Sequence, residues 1–303
     1  MKRWVVALLG VAASLGAAED GGQTAAWSKL AVDARSAALG RAVGALGDDE
    51  GAVQLNPALL ATQEHINIGS QYALLPDGSS LSFLGVARPL DLGSEWAWGL
   101  SYLQFDQGQL LERRHANTPD PDSLFRESAS QVQLGLGGYV YGRSVALGLD
   151  LKAYSHALGD ANANGGSEDL GLFWRASPWL DLGFGLRDLY SRVLWNTGWL
   201  ETLPPQLRAS AALRPWGERL LLALEADRST AQETRLHAGM ELWAWPQHLA
   251  FRTALDDGLW AAGFGARARL FNMAVGLDYA FAGAHSNAQQ MQHRLSLHLG
   301  LDL

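Results

Sequence analysis

The sequence predicts an all-β protein: a transmembrane antiparallel β-barrel of about fourteen strands that follows a short helical N-terminal segment. Three observations support this fold class. From residue 65 to residue 303 the hydrophobic pattern alternates with a period of two. One face of these segments is repeatedly apolar, whereas the other mixes small residues with charges. Although 48% of the chain is hydrophobic, no segment holds about 18 consecutive apolar residues, so strands have to carry the apolar side chains across a bilayer.

The first residues have the pattern of a secretory signal peptide. Lys2 and Arg3 precede an apolar run over residues 4–15, and small residues follow at 16–18. We predict that residues 1–18 are the signal peptide and that cleavage follows Ala18. The exported chain has no cysteine, which excludes a disulfide framework and a lipoprotein anchor. Removing two basic residues leaves 21 of the 23 against 31 acidic ones, and this net charge of −10 argues against a nucleic-acid partner.

Residues 19–64 precede all strand patterning and are predicted to form the hatch. Small apolar residues recur at helical spacing over 28–46 and glycines interrupt them, so we expect a short helix followed by a turn. Further on, Pro57 moves Asn56 out of the helical region and begins a second helical turn. Asn56 and Pro57 are expected to fix a bend, because Asn side chains bond nearby backbone groups in turns.

The rest of the chain, residues 65–303, is predicted to form the barrel. The strand segments are 65–75, 80–90, 95–105, 130–141, 143–154, 168–176, 179–188, 206–214, 219–227, 234–243, 248–255, 259–270, 272–281 and 291–303. Three longer stretches between them are predicted to be loops facing outside: 106–129, 157–167 and 191–205. Within them, residues 117–122 and 160–166 have the composition of solvated, mobile segments.

Alternation alone also fits a soluble β-sandwich, in which the apolar face would be the core. Other features favour the membrane barrel: the strands approach the roughly 9–11 residues that a tilted transmembrane strand needs, their number is even, and the chain ends on an apolar strand residue. Trp and Tyr also lie near segment ends, as in interfacial belts. These residues are Trp96, Trp179, Tyr190, Trp216, Trp243 and Trp260.

Charged residues fall on the face that is predicted to line the lumen. The basic ones are Lys152, Arg175, Arg187, Arg208, Arg214, Arg235, Arg252, Arg267, Arg269 and Arg294, and the acidic ones are Asp150, Glu225, Asp227, Glu241, Asp278 and Asp302. Facing lipid, such charges would be costly; in the lumen they can pair between strands and hold the hatch. A basic path for an anionic solute is the alternative interpretation.

Two patterns with chemical potential are interpreted structurally. The acidic run Asp48-Asp49-Glu50 lacks the alternate-residue spacing of a calcium loop, so we expect these acids to solvate the hatch turn or to pair with lumen arginines, and we predict no metal. Ser296 and His298 share one strand face, but neither a third orienting group nor a glycine-flanked serine elbow accompanies them. We therefore predict a non-enzymatic protein with no cofactor.

The segment 33–61 resembles the N-terminal signature of the PorV/PorQ family of outer-membrane proteins, which is similar in fold to the FadL long-chain fatty-acid transporters. The Asn56-Pro57-Ala58 element is shared by both groups. The resemblance implies a fourteen-stranded barrel in the bacterial cell outer membrane, whose N-terminal segment folds inward as a hatch. It also implies that this element, together with Asp48 and Asp49, shapes a gate.

The resemblance implies two functions. PorV-like proteins act with the type IX secretion machinery as shuttles or anchors for secreted cargo, and the modest loops of this chain favour that side. The alternative is FadL-like passage of long-chain fatty acids or other hydrophobic solutes. The expected partners are outer-membrane lipid with either secreted proteins or a hydrophobic small molecule. A structural barrel without transport is the third hypothesis.

Overall fold

The computed structural model describes residues 25–47, 49–75, 78–91, 93–112, 123–283 and 291–301. The predicted signal peptide, Asp48, Asp302 and the segment 117–122 lie outside these residues. The strands are β1 (Ile66–Leu74), β2 (Ser80–Pro89), β3 (Trp96–Glu112), β4 (Ser123–Tyr141), β5 (Val145–Leu158), β6 (Ala161–Ser177), β7 (Leu180–Trp195), β8 (Leu200–Glu201), β9 (Gln206–Leu213), β10 (Pro215–Glu218), β11 (Leu220–Ser229), β12 (Arg235–Trp245), β13 (Leu249–Asp256), β14 (Leu259–Leu270), β15 (Met273–Gly283) and β16 (Gln292–Leu301).

Fourteen of these strands form a closed antiparallel barrel, which confirms the predicted fold class. Each pairs with its neighbours in the chain, β7 pairs with β9 and β9 with β11, and the short β8 and β10 lie outside the ring. The ring closes between β1 and β16, in a register that places Ile66 opposite Leu301. Closure removes the free edges that an open sheet would present.

The two rims of the barrel differ. We call the rim with the connections 90–95, 142–144, 178–179, 214–219, 246–248 and 271–272 the turn end, and the opposite rim the loop end. Strands β3 to β7 are longer than the sequence predicts, because they include residues 106–112, 123–129, 157–158, 161–167 and 191–195 of the predicted loops. The prediction that 160–166 is a solvated loop is wrong, since residues 161–166 pair with β5 and residues 163–166 also pair with β7.

The outer surface is apolar and the inner surface polar. Along β5, the outward Leu147, Leu149 and Leu151 are 45%, 44% and 53% exposed, whereas the inward Asp150 is buried. An exposed aromatic residue accompanies each turn-end connection, as expected at a membrane interface. These residues are Trp96, Tyr141, Trp179, Trp216, Trp245 and Phe271. Trp243 was predicted for this belt, but it faces the lumen and donates its Nε1–H to Glu241.

The pairing of β6 with β7 is irregular. The register shifts between Gly166 and Glu168 and again between Glu168 and Leu170. On β7, Asp188 and Tyr190 adopt the left-handed region with φ of 58° and 47°. As a result, two consecutive side chains, Arg187 and Asp188, are both buried in the lumen.

The hatch lies inside the barrel. Its helical elements are a 3₁₀ turn at Ala26–Lys29, helix α1 at Ala34–Ala38, helix α2 at Ala52–Leu55 and a 3₁₀ helix at Pro57–Thr62. The predicted helix over 28–46 is thus shorter than expected. Residues of all four elements are buried against inward side chains of the strands. Within the described residues, none of the helices is long and apolar enough to cross a membrane.

Candidate functional site

One side of the hatch is held to the wall by a histidine between two carboxylates. His298 on β16 places Nδ1 2.8 Å from Oε1 of Glu50 in the hatch. Its Nε2 lies 2.9 Å from Oδ2 of Asp278 on β15. Both carboxylates are almost completely buried. A neutral imidazole carries one N–H, so contact with two carboxylates favours the protonated ring. The hatch is therefore tied to the wall by charge.

Helix α1 adds a second ionic contact. Arg35 donates Nε–H and Nη2–H to the two carboxylate oxygens of Glu241 at 3.0 and 3.1 Å. Glu241 also accepts from Arg252, which donates in turn to Asp278. The hatch helix is thus clamped in the fork geometry that guanidinium and carboxylate groups prefer. Arg35 also lies 3.7 Å from Asp49, so Asp49 contacts an arginine of the hatch itself and not one of the barrel wall.

A third contact lies nearer the loop end. Arg41 of the hatch donates to both carboxylate oxygens of Asp256 at 2.9 and 2.8 Å. Asp256 also contacts His237, whose other ring nitrogen lies 2.5 Å from Asp227. Burial alone would lower the pKa of Arg41, but the adjacent Asp256 outweighs it and raises the pKa above its ordinary value. Arg41 therefore stays charged inside the barrel.

The helix carrying Arg35 begins at a capped residue. Oδ1 of Asp33 accepts from the backbone N–H of Ser36 at 2.6 Å, and the Ser36 hydroxyl accepts from the backbone N–H of Asp33. This reciprocal capping fixes the start of a short helix. Burial raises the pKa of Asp33, against the opposing effect of nearby His298. The backbone N–H of Ala34 donates to Ser296 on β16 at 2.7 Å.

The Asn56-Pro57-Ala58 bend rests on a row of glycines in the wall. Nδ2 of Asn56 donates to the carbonyls of Gly44 and Leu172 at 3.0 and 3.3 Å, and its Oδ1 accepts from the N–H of Ala58. Directly opposite, cross-strand pairing aligns four glycines of β4 to β7: Gly137, Gly148, Gly171 and Gly185. A Cβ on Gly137, Gly148 or Gly171 would overlap the bend. The smooth wall lets the hatch backbone approach closely.

The remaining charges named from the sequence pair within the lumen. Lys152 lies 2.6 Å from Asp169 and 2.9 Å from Asp188. Asp150 accepts from Gln133, which also donates to the carbonyl of Val53 in the hatch. The other pairs join Arg208 to Glu225, Arg235 to Asp227 and Arg267 to Asp278.

Two of these groups also bind the hatch backbone. Arg208 donates to the carbonyl of Leu55 at 2.9 Å, and Glu225 accepts from the N–H of Gly44 at 2.9 Å. Ser296 and His298, weighed above as a catalytic pair, both contact the hatch instead. Within the described residues, no group of three or more His, Asp or Glu side chains could hold a metal ion.

An apolar chamber near the loop end is the feature that sequence reasoning missed. Inward side chains of β1 to β7 and the following connection form it: Ala73, Leu81, Phe83, Leu103, Phe105, Ala129, Tyr154, Ala163, Val193 and Leu203. The sequence does indicate this chamber, because the inward residues of β3 change from small and polar ones to Leu103 and Phe105. A lumen lined with apolar side chains at one height is suited to an apolar occupant.

The hatch itself fills this chamber. Trp27 is 7% exposed and its ring stacks on Phe105, with centroids 6.4 Å apart and planes 14° apart. Ala25 and Val32 pack beside it. Among the residues that the structure describes, none accepts a hydrogen bond from the buried indole N–H. Trp27 is therefore held by apolar contact alone, at a cost of about 1–3 kcal/mol for the unsatisfied N–H.

A second cavity opens at the turn end. It has a volume of about 510 Å³ and lies on the other side of helix α1. Arg35, Arg214, Trp243, Arg267 and Arg269 line it. The lumen thus holds two spaces of opposite character, with the hatch between them.

Fold and lumen together define the class: a plugged β-barrel of the outer-membrane type. Among solved structures, the CymD monoaromatic hydrocarbon channel has a TM-score of 0.65 at 13% identity, over 90% of this chain and 97% of that one. A FadL homologue of Pseudomonas aeruginosa has a TM-score of 0.62 at 12% identity, over 90% and 99%. A deltaS2S3 mutant of the TodX monoaromatic hydrocarbon channel gives 0.56 at 12% identity, over 83% and 94%.

At these identities the likeness establishes the fold, which is that of a FadL-like barrel. Comparison with protein-family models and with curated protein sequences gives no match.

Proposed function

We propose that this protein is an outer-membrane channel that admits small hydrophobic solutes. The observation that carries the proposal is the apolar chamber at the loop end, which the indole of Trp27 occupies. Burying apolar surface contributes roughly 25 cal/mol per Å² of area removed from water. A solute with a ring of similar size would gain this energy in place of Trp27, without burying an unsatisfied N–H.

The contacts of the hatch indicate which part moves. Residues 33–47 and 49–63 are fixed by ion pairs and by the glycine row, whereas the 3₁₀ turn Ala26–Lys29 presents Trp27 to an apolar surface. Apolar contact is non-directional, so one apolar group can replace another there. We infer that the solute displaces the segment around Trp27 while the base of the hatch stays in place.

The similar structures support this function over the secretion role. Two of the channels are described as conducting monoaromatic hydrocarbons, and their fold extends over most of this chain. The PorV/PorQ resemblance of segment 33–61 is the basis of the secretion role, and no contact of the described residues favours it further. Binding to secreted cargo is accordingly an outcome of the test below.

We also infer that residues 1–18 direct export and that the mature chain lies in the bacterial outer membrane. The outward apolar face and the turn-end aromatic residues support this location. Mass spectrometry of the protein from isolated outer membranes should find Glu19 at its N-terminus.

The transport proposal is tested by uptake of radiolabelled toluene into cells that lack other hydrocarbon channels. Trp27→Ala should raise the rate of uptake because it vacates the chamber, and adding Ala129→Trp to that variant should lower the rate again because the new ring refills the chamber. Ala153→Trp is the matched control, since Ala153 faces outward on β5 and should leave uptake unchanged. Equal uptake in all variants and in cells without the protein contradicts the proposal, and co-purification of exported proteins in that case supports the secretion role.

A further inference from the structure

The cavity at the turn end has a chemistry opposite to that of the apolar chamber. Its volume of about 510 Å³ falls within the range of small-molecule sites. Helix α1 closes it on the inside through Arg35, and the connections 214–219 and 246–248 form part of its rim. It is open toward the turn end.

The cavity presents positive charge because the acids lie behind the arginines. The side chain of Arg267 is 24% exposed and its partner Asp278 is 0% exposed. In the same way, Arg214 is 30% exposed and its partner Asp181 is 5% exposed. Each carboxylate accepts from Nη1 of its arginine, and both arginines line the cavity.

The same arrangement holds at the floor, where Arg35 is 10% exposed and Glu241 is 2% exposed. Arg269 lies two residues beyond Arg267 on the same face of β14 and is exposed. Of the two acids among the lining residues, Glu241 is paired with Arg35, whereas Glu218 lies in the rim. The lining residues thus include four arginines and two acids, so the lining side chains carry a net positive charge.

An aromatic side chain completes the site. Trp243 lies in the bulged end of β12, half-buried, and its Nε1–H donates to Glu241 at 3.2 Å. This bond fixes the indole while its ring lines the cavity. Guanidinium groups bind carboxylates in a bidentate geometry, and an indole contributes apolar contact for the body of a ligand.

From this arrangement we propose that the turn-end cavity is a binding site for a small organic carboxylate, held by Arg214, Arg267 and Arg269 and packed against Trp243. The site goes beyond the proposed channel function and does not depend on it, since it lies on the other side of the hatch. The ligand would be a carboxylic acid that enters the cavity from the turn end or leaves the protein at that end.

Calorimetry on the full-length folded protein in detergent tests this site, with benzoate as the ligand and benzamide as its neutral counterpart. Benzoate should bind at least about tenfold more tightly than benzamide, and added salt should weaken it. Acetate should bind more weakly than benzoate, because it cannot contact Trp243. Arg269→Gln should weaken benzoate binding up to about fivefold.

Arg228→Gln is the matched control, since Arg228 is exposed on the outer face of β11 near the loop end. Heat-modifiable migration on gels shows that each variant is folded. Equal affinity for benzoate and benzamide, or an Arg269→Gln variant that binds benzoate like the Arg228→Gln control, overturns the proposal. Equal affinity for acetate and benzoate overturns the part assigned to Trp243. None of these results depends on toluene uptake.

Discussion

Asp33 combines a favourable local role with an unfavourable environment. Its side chain caps helix α1, and burial raises its pKa. Because the folded state then binds this proton more tightly than the unfolded state, ionisation of Asp33 disfavours folding above the raised pKa. The penalty disappears as the pH falls through the raised pKa toward 3.8, the ordinary value.

Asp33→Asn keeps the cap and removes the charge, so we expect it to match or exceed the wild type in stability at pH 7.5. Asp33→Ala loses the cap and should cost about 1 kcal/mol. Urea unfolding in detergent at pH 7.5 and pH 5 measures both. The advantage of Asp33→Asn over the wild type should shrink at the lower pH, and an advantage that grows there would contradict the assignment.

His298 connects the hatch to the wall through Glu50 and Asp278. Gln in its place cannot carry the positive charge between two carboxylates, so we expect His298→Gln to loosen the hatch. The chain has no cysteine, so Ala37→Cys in buried α1 gives a single reporter. Maleimide should label this cysteine several-fold faster in the His298→Gln background. The exposed His248, which contacts the carbonyl of Pro246, supplies the control His248→Gln, and equal labelling in both would remove His298 from this role.

At the scale of elements, the glycine row of β4 to β7 determines where the hatch bend fits. A Cβ on Gly148 would overlap backbone atoms of Pro57 and Ala58, which cannot rotate away. We expect Gly148→Ala to destabilise the hatch by about 1–3 kcal/mol, the usual cost of overpacking. Unfolding in urea and labelling of the same cysteine reporter measure the change.

Gly185→Ala is the control for this effect. Gly185 belongs to the same row, but the atoms nearest to a Cβ there are 3.9 Å away and none belongs to the hatch. It should therefore retain the stability of the wild type. If the two variants behave alike, the row acts through the strands and not through the hatch.

The strands and the hatch also show which structural features the sequence could predict and which it could not. The period of two identifies every barrel strand, because the two environments differ in polarity over the whole height of the membrane. Beyond the membrane that contrast ends, and residues 163–166 look like a loop although they pair with strands on both sides.

The sequence of one strand does not show which residues of the neighbouring strand lie opposite to it. The sequence places Gly148 and Gly171 on the inward face, but it cannot show that they are neighbours. Which charged residues face inward was predictable from their alternate positions along each strand. Their partners were not predictable, because pairs such as Arg35 with Glu241 join residues about 200 positions apart. Trp27 was overlooked because its environment consists of side chains from seven strands.

At the scale of the whole molecule, the distribution of polarity is inverted relative to a soluble barrel. Ion pairs fill the interior, and large apolar side chains cover the outside. The hatch supplies the core that a barrel of this size could not fill with wall side chains alone. One consequence is that the hatch blocks the lumen, so the proposed passage of a solute requires movement of a hatch segment.

The membrane assignment predicts how a charge on the outer face acts at different heights. With about 2.5 Å of height per tilted strand residue, an apolar band of about 25 Å extends some ten residues from the turn end. Leu149 on β5 then lies near mid-height, whereas Leu158 lies beyond the band; both are outward, at 44% and 37% exposure. Leu149→Arg should destabilise the barrel in lipid vesicles by about 2–4 kcal/mol, and Leu158→Arg by about 0–1 kcal/mol. Equal costs in guanidinium unfolding would place both residues in water and contradict the bilayer orientation.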